Sequence, residues 1–92
     1  MSNDLKHNEE VIYEWQKTHE RYYGEPTDYR FVVMYKEYLE EPEIECILLQ
    51  ERHKTGNEVW ITQEEYTSYT PLINILRLIE HATNKKVKGS FT

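Results

Sequence analysis

Hydrophobic positions near the start of the chain recur at steps of three, four and seven residues, which is the spacing of one helix face. The residues that share this face are Leu5, Ile12, Trp15, His19 and Tyr22. Asn3 or Asp4 can cap the start, and Gly24 is a suitable stop. The pattern predicts a helix over residues 4–23.

Two segments in the middle of the chain are rich in β-branched and aromatic residues and predict β-strands. Along residues 29–38, the side chains of Tyr29, Phe31, Val33 and Tyr35 share one face, and those of Val32 and Met34 share the other. A helix over residues 34–40 is a second interpretation of part of this segment. Residues 44–52 are apolar on both faces, which predicts a central strand.

The second half of the chain predicts a short strand and then a helix. A turn at Gly56 and Asn57 precedes a third strand over residues 58–62. Thr62 and Glu65 have the spacing of a capping box, so we expect the helix to begin there. Its apolar stripe consists of Leu72, Ile75, Leu76, Ile79 and Ala82, and Asn84 ends it.

The predicted element order is therefore helix, three antiparallel strands, helix (αβββα). A three-stranded sheet covered on one face by both helices buries both apolar stripes. We predict an α+β fold in which residues 1–84 form a single two-layer domain, a size that suits one hydrophobic core. Residues 85–92 form a basic C-terminal tail that contains Lys85, Lys86 and Lys88 and no acidic residue.

The charge of the chain is unevenly distributed. The chain has 17 acidic and 11 basic residues, and three of the bases lie in the tail, so residues 1–84 carry 17 acids, 8 bases and a net charge of −9. A dense acidic stretch without any base contains Glu37, Glu40, Glu41, Glu43 and Glu45. This charge repels nucleic acid and anionic lipid and attracts basic protein surfaces. Solubility is the alternative explanation.

Catalytic and metal-binding motifs are absent from the sequence. Cys46 lies mid-strand among apolar residues, where a thiol is usually a small buried hydrophobe. The four histidines lack zinc-ligand spacing, and the three glycines are isolated. We predict a protein that is not an enzyme and has neither cofactor nor metal. The lone cysteine, the polar N-terminus and the lack of a membrane-length apolar run predict a cytoplasmic protein.

The acidic stretch predicts a partner-binding surface, to which acids and tyrosines further along the chain contribute. Tyrosine is enriched in interfaces because it combines apolar area with a hydroxyl. The predicted set is Glu37, Tyr38, Glu40, Glu41, Glu43, Glu45, Glu64, Glu65, Tyr66 and Tyr69. Spaced carboxylates can imitate the phosphates of DNA, so the expected partner is a basic site on a nucleic-acid enzyme. The alternative is a structural module that forms a homodimer or docks through an aromatic face that includes Trp60.

The predicted element order is shared with double-stranded-RNA-binding domains, which need cations at the start of their second helix. Here that region carries Glu64 and Glu65, and residues 55–76 contain no lysine or arginine. These charges exclude RNA binding as an expected function.

Part of the chain resembles small acidic anti-CRISPR proteins of phages, which inhibit type II nucleases. The resemblance is carried by residues 56–62, by Glu64 and Glu65, and by the helix over residues 72–79. It implies a helix, a three-stranded antiparallel sheet and C-terminal helices. It also implies that acidic side chains occupy the DNA-recognition site of the nuclease. Those inhibitors carry further acids toward the C-terminus, whereas this chain becomes basic at Lys85.

Overall fold

The computed structural model describes residues 5–18, 26–37, 40–53 and 59–89. In these ranges the chain forms four strands and then one helix: β1 (Glu9–Thr18), β2 (Pro26–Tyr35), β3 (Ile44–His53), β4 (Ile61–Tyr66) and α1 (Tyr69–Thr83). The strands make one antiparallel sheet in the order β1-β2-β3-β4, with β1 and β4 at its edges. The protein is therefore a β-rich α+β fold, and the predicted αβββα order is wrong.

The N-terminal helix predicted over residues 4–23 is wrong because β1 occupies its centre. Val11 pairs with Val32 and Tyr13 pairs with Phe31, so the register shifts at Ile12, which is the extra residue of a β-bulge. The bulge places Val11 and Tyr13 on opposite faces and breaks the alternation that marks a strand. Two residues assigned to the helix face, His19 and Tyr22, lie outside the described ranges.

Strands β2 and β3 overlap the two predicted strands, but β2 begins and ends three residues earlier than the predicted range of 29–38. Val33 pairs with Ile47, and Val32 pairs with Leu48, so odd- and even-numbered residues of β2 face opposite sides of the sheet as expected. β3 pairs with β2 and β4, which confirms a central strand. β2 continues to Tyr35, so the alternative helix over residues 34–40 does not begin at its proposed start.

The predicted boundary between the last strand and the helix is wrong. Thr62 and Glu65 belong to β4, and α1 begins at Tyr69 after Ser68, whose side chain makes no capping hydrogen bond. Pairing with β3 satisfies the backbone groups on the inner edge of β4, which are more groups than a capping box satisfies. The predicted turn at Gly56 and Asn57 lies outside the described ranges.

Helix α1 packs its apolar stripe on one face of the sheet. Leu72, Leu76 and Ile79 are buried, while Ala82 is exposed. The helix ends at Asn84, which has the left-handed φ of 56° that favours asparagine or glycine at this position. No helix in the described ranges is long and apolar enough to cross a membrane.

Residues 85–89 return to the sheet beside α1. The Tyr35 hydroxyl donates to the carbonyl oxygen of Lys88 at 2.8 Å, and the Val87 amide donates to the Glu80 carboxylate at 2.9 Å. Gly89 has a φ of 105°, and a Cβ built there would lie 2.9 Å from a ring carbon of Tyr35. The tail lysines therefore lie on the helix side of the sheet, around a cleft that Glu10 also lines.

Candidate functional site

The two faces of the sheet differ because α1 covers only one of them. On the helix side, Val33 and Ile47 pack with Leu72 and Leu76. On the other side, which we call the far face, Val32, Cys46 and Leu48 form a second apolar cluster without helix residues. Candidate functional groups lie on both faces and at the edges.

Three glutamates lie on three strands around Cys46. Glu45 precedes it on β3, Glu65 lies on the neighbouring β4, and Glu9 lies on β1, beyond β2. Burial and, after it, the negative charges of Glu65, Glu45 and Glu9 together raise the pKa of the Cys46 thiol to about 11. We call Glu9, Glu45 and Glu65 the acidic cluster. Two of its members belong to the predicted binding set. Glu9 was missed because β1 was assigned to a helix.

The Cys46 thiol should make stability fall at alkaline pH. The unfolded chain loses the thiol proton near its ordinary pKa of about 9, whereas the folded protein keeps it to about 11. The stability that the protonated thiol contributes is therefore fully present below pH 9 and is lost as the pH rises to 11. Urea unfolding across this range should show a steeper loss of free energy in the wild type than in Cys46→Ala. Tyr35, whose pKa burial raises to about 12, is present in both proteins. Equal slopes would contradict the expectation.

Two glutamates of the predicted stretch contact a histidine or a lysine. Glu37 lies 3.5 Å from His7, and Glu43 lies 3.3 Å from Lys36. These contacts are partly exposed, so they contribute little to stability. Of the other predicted residues in this stretch, Glu40 and Glu41 are exposed after β2, and Tyr38 lies outside the described ranges.

The predicted residues after position 60 do not share one surface. Glu65 pairs with Leu48 and lies on the far face, whereas Glu64 pairs with Leu49 and lies on the helix side. Tyr66 is half-buried against the helix-side core, and Tyr69 is exposed at the start of α1. The structure thus places Glu65 near Glu45, whereas Glu64 lies on the opposite face of the sheet from Glu65.

A buried polar network occupies the other end of the far face. Asp28 and Arg30 are only 6% and 4% exposed. The Asp28 carboxylate accepts from Arg52 Nη2 at 2.8 Å and from Gln16 Nε2 at 2.7 Å. Arg30 Nε donates to Gln50 Oε1 at 2.7 Å. These bonds tie β1, β2 and β3 together through their side chains.

Trp60 lies over this network. The guanidinium carbons of Arg30 and Arg52 are 4.1 and 4.5 Å from its ring centroid, within the range of cation–π contacts. A cleft beside the ring is lined by Glu14, Trp15, Gln16, Asp28, Tyr29, Arg52 and Trp60. Trp60 therefore contacts arginines of its own chain. The polar side chains at 28, 30, 50 and 52 continue the alternation of β2 and β3, a pattern that could have revealed the network.

Four aromatic residues form a cluster on the helix side. The ring of Trp15 lies 5.4 Å from that of Tyr29, 5.1 Å from that of Phe31 and 5.7 Å from that of Tyr13, measured between centroids. A mainly apolar groove continues from this cluster to α1. The groove is lined by Tyr13, Phe31, Ile75, Leu78, Ile79 and Ala82.

Within the described ranges, no three histidine, cysteine or acidic residues are grouped so that they could hold a metal ion. Comparisons of the chain with protein-family models, curated proteins and solved structures found no match. The resemblance to anti-CRISPR proteins therefore stays a prediction.

Proposed function

We propose that this protein is a non-catalytic binding protein that recognises a basic surface of a protein partner through its acidic cluster. The supporting observation is that Glu9, Glu45 and Glu65 lie on three strands around Cys46, near enough for their charges to raise the pKa of its thiol. In the described ranges no ion pair joins Glu45 or Glu65 to a base. Carboxylates that surround one position of a sheet attract the cations of a basic partner.

Their shared location around Cys46 favours recognition over solubility as the role of these acids. Acids that serve solubility act through net charge and need no common location. The lysines of the tail lie on the helix side, so they are not placed to neutralise the far face. A basic nucleic-acid-binding site, in which lysine and arginine are arranged for phosphates, has the complementary chemistry. We propose a nucleic-acid enzyme of the cytoplasm as the partner, a type II CRISPR nuclease being the example implied by the resemblance.

The test measures binding of this protein to RNA-guided type II nucleases, with and without competing target DNA. Glu45→Lys with Glu65→Lys should weaken binding by about a hundredfold, because like charges then face each other across the interface. The matched control, Glu40→Lys with Glu41→Lys, makes the same change of net charge outside the cluster. DNA and added salt should both compete. Equal losses in the two variants would show that only net charge matters, and no binding to any nuclease would remove this class of partner.

A second candidate function is docking through the aromatic cluster, either to another protein or to a second copy of this chain. The observation in its favour is the set of four contacting rings beside the groove at Leu78, which is 70% exposed. Half-buried aromatic rings beside an exposed aliphatic side chain provide apolar area of the kind that is found at interaction sites. The same binding experiment separates the two functions, since aromatic docking would tolerate salt and the Glu45 and Glu65 variants.

A further inference from the structure

We infer that the basic partner supplies an extended segment that adds to the sheet as a strand along β4. This inference rests on the proposed function and specifies the form of the partner. β4 is an edge strand, because in the described ranges it pairs only with β3. Residues 61–65 of β4 are all exposed, and Ile61 is 52% exposed.

The edge of a sheet provides both affinity and direction for such a segment. The outer N–H and C=O groups of an edge strand can form a hydrogen-bond ladder with an added strand. Side chains of the added strand then alternate between the two faces. β4 can therefore bind an extended peptide without a preformed deep pocket.

The charges beside this edge select a basic segment. Glu65 belongs to the acidic cluster on the far face, and Glu64 lies on the helix side, so the added strand meets a carboxylate on each face. Cross-strand pairs of opposite charge are stabilising, and directly opposed like charges are destabilising. Lysine or arginine at successive positions of the segment would satisfy both carboxylates.

The same features disfavour a second copy of this chain as the added strand. Pairing two copies of β4 would bring the glutamates of both onto one seam, within proteins that each have a net charge of −6. The register of β3 with β4 also shifts between Glu64 and Thr62, so Gln63 is an extra residue that interrupts the edge. Bulges and charged residues at edges prevent indiscriminate strand pairing. Glu64 and Glu65 follow this bulge, in the part of β4 that pairs with β3 without a register shift.

The test uses two synthetic peptides with the same sequence, in which pairs of adjacent lysines alternate with pairs of threonines, so that both faces of the added strand carry lysine. In one peptide alternate backbone nitrogens are methylated, which removes hydrogen-bond donors but keeps every charge. Fluorescence anisotropy should show at least about tenfold weaker binding of the methylated peptide. Hydrogen exchange of the amides of residues 61–66 should slow in the complex with the unmethylated peptide.

A matched pair of protein variants tests the contribution of charge. Glu64→Gln with Glu65→Gln should weaken binding of the unmethylated peptide by about tenfold, and Glu40→Gln with Glu41→Gln should change it much less. Equal affinity for the two peptides, or slowed exchange at β1 in place of β4, would overturn strand addition and leave the proposed function standing. Failure of both peptides to bind, with the nuclease test also negative, would overturn both proposals. Failure of the peptides alone would overturn only strand addition.

Discussion

Replacing Ile47 with alanine is expected to lower the free energy of unfolding by about 2–5 kcal/mol. Ile47 is 0% exposed and lies on the central strand, where it pairs with Val33 on β2 and Tyr66 on β4. It also packs beneath α1 in the cluster that contains Leu72 and Leu76. The substitution therefore removes contacts with two strands and the helix at once, and the rigid surroundings leave a cavity.

Urea unfolding followed by circular dichroism measures this loss, with two variants as controls. Ile47→Val removes one methylene and should cost about 0.5–1.5 kcal/mol. Leu78→Ala removes an apolar side chain that is 70% exposed and should change stability by no more than about 0.5 kcal/mol. Similar losses for Ile47→Ala and Leu78→Ala would contradict the location of the core beneath α1.

Replacing Asp28 with alanine is expected to destabilise the protein by about 2–3 kcal/mol. The substitution leaves Arg52 without its carboxylate and Gln16 without its acceptor. The cost stays below that of a fully buried pair because the Arg52 side chain is 36% exposed and can turn toward water. Asp28→Asn keeps an acceptor and should cost less.

The double variant Asp28→Leu with Arg52→Met distinguishes a lost ion pair from lost packing. It removes both charges and replaces them with apolar groups, so it should be more stable than Asp28→Ala. Lys17→Ala, at an exposed position of β1 outside the network, serves as a control and should change stability by no more than about 0.5 kcal/mol. A double variant that is less stable than Asp28→Ala would show that the network contributes more than charge compensation.

Regular local patterns predicted β2, β3 and the stripe of α1, and an irregular pattern misled the prediction of β1. Alternation along residues 29–35 is uninterrupted, so its faces match the observed pairing. In β1 the bulge at Ile12 inserts one residue, and the remaining apolar spacing imitates a helix. At Thr62 and Glu65 the capping-box spacing was present, but pairing with β3 satisfied more backbone groups.

The candidate site could be predicted only in part. Glu45 and Glu65 were included in the binding set because of charge and neighbouring tyrosines. Their separation from Glu64, and their association with Glu9, depend on strand register. Trp60 was assigned to an aromatic interface, yet it lies over Arg30 and Arg52. No local pattern contains this information, because these partners are distant in sequence.

The sequence by itself determined the unbalanced charge, two of the strands and the amphipathic helix, since each depends on residue type and periodicity over a short window. The tertiary structure decided that the N-terminal segment is a strand, and it placed Glu9, Glu45 and Glu65 on three strands around Cys46. It also placed the tail lysines on the opposite side of the sheet. The physical reason is that long-range hydrogen bonds and strand register select among local preferences, and a single bulge reassigns which side chains share a face.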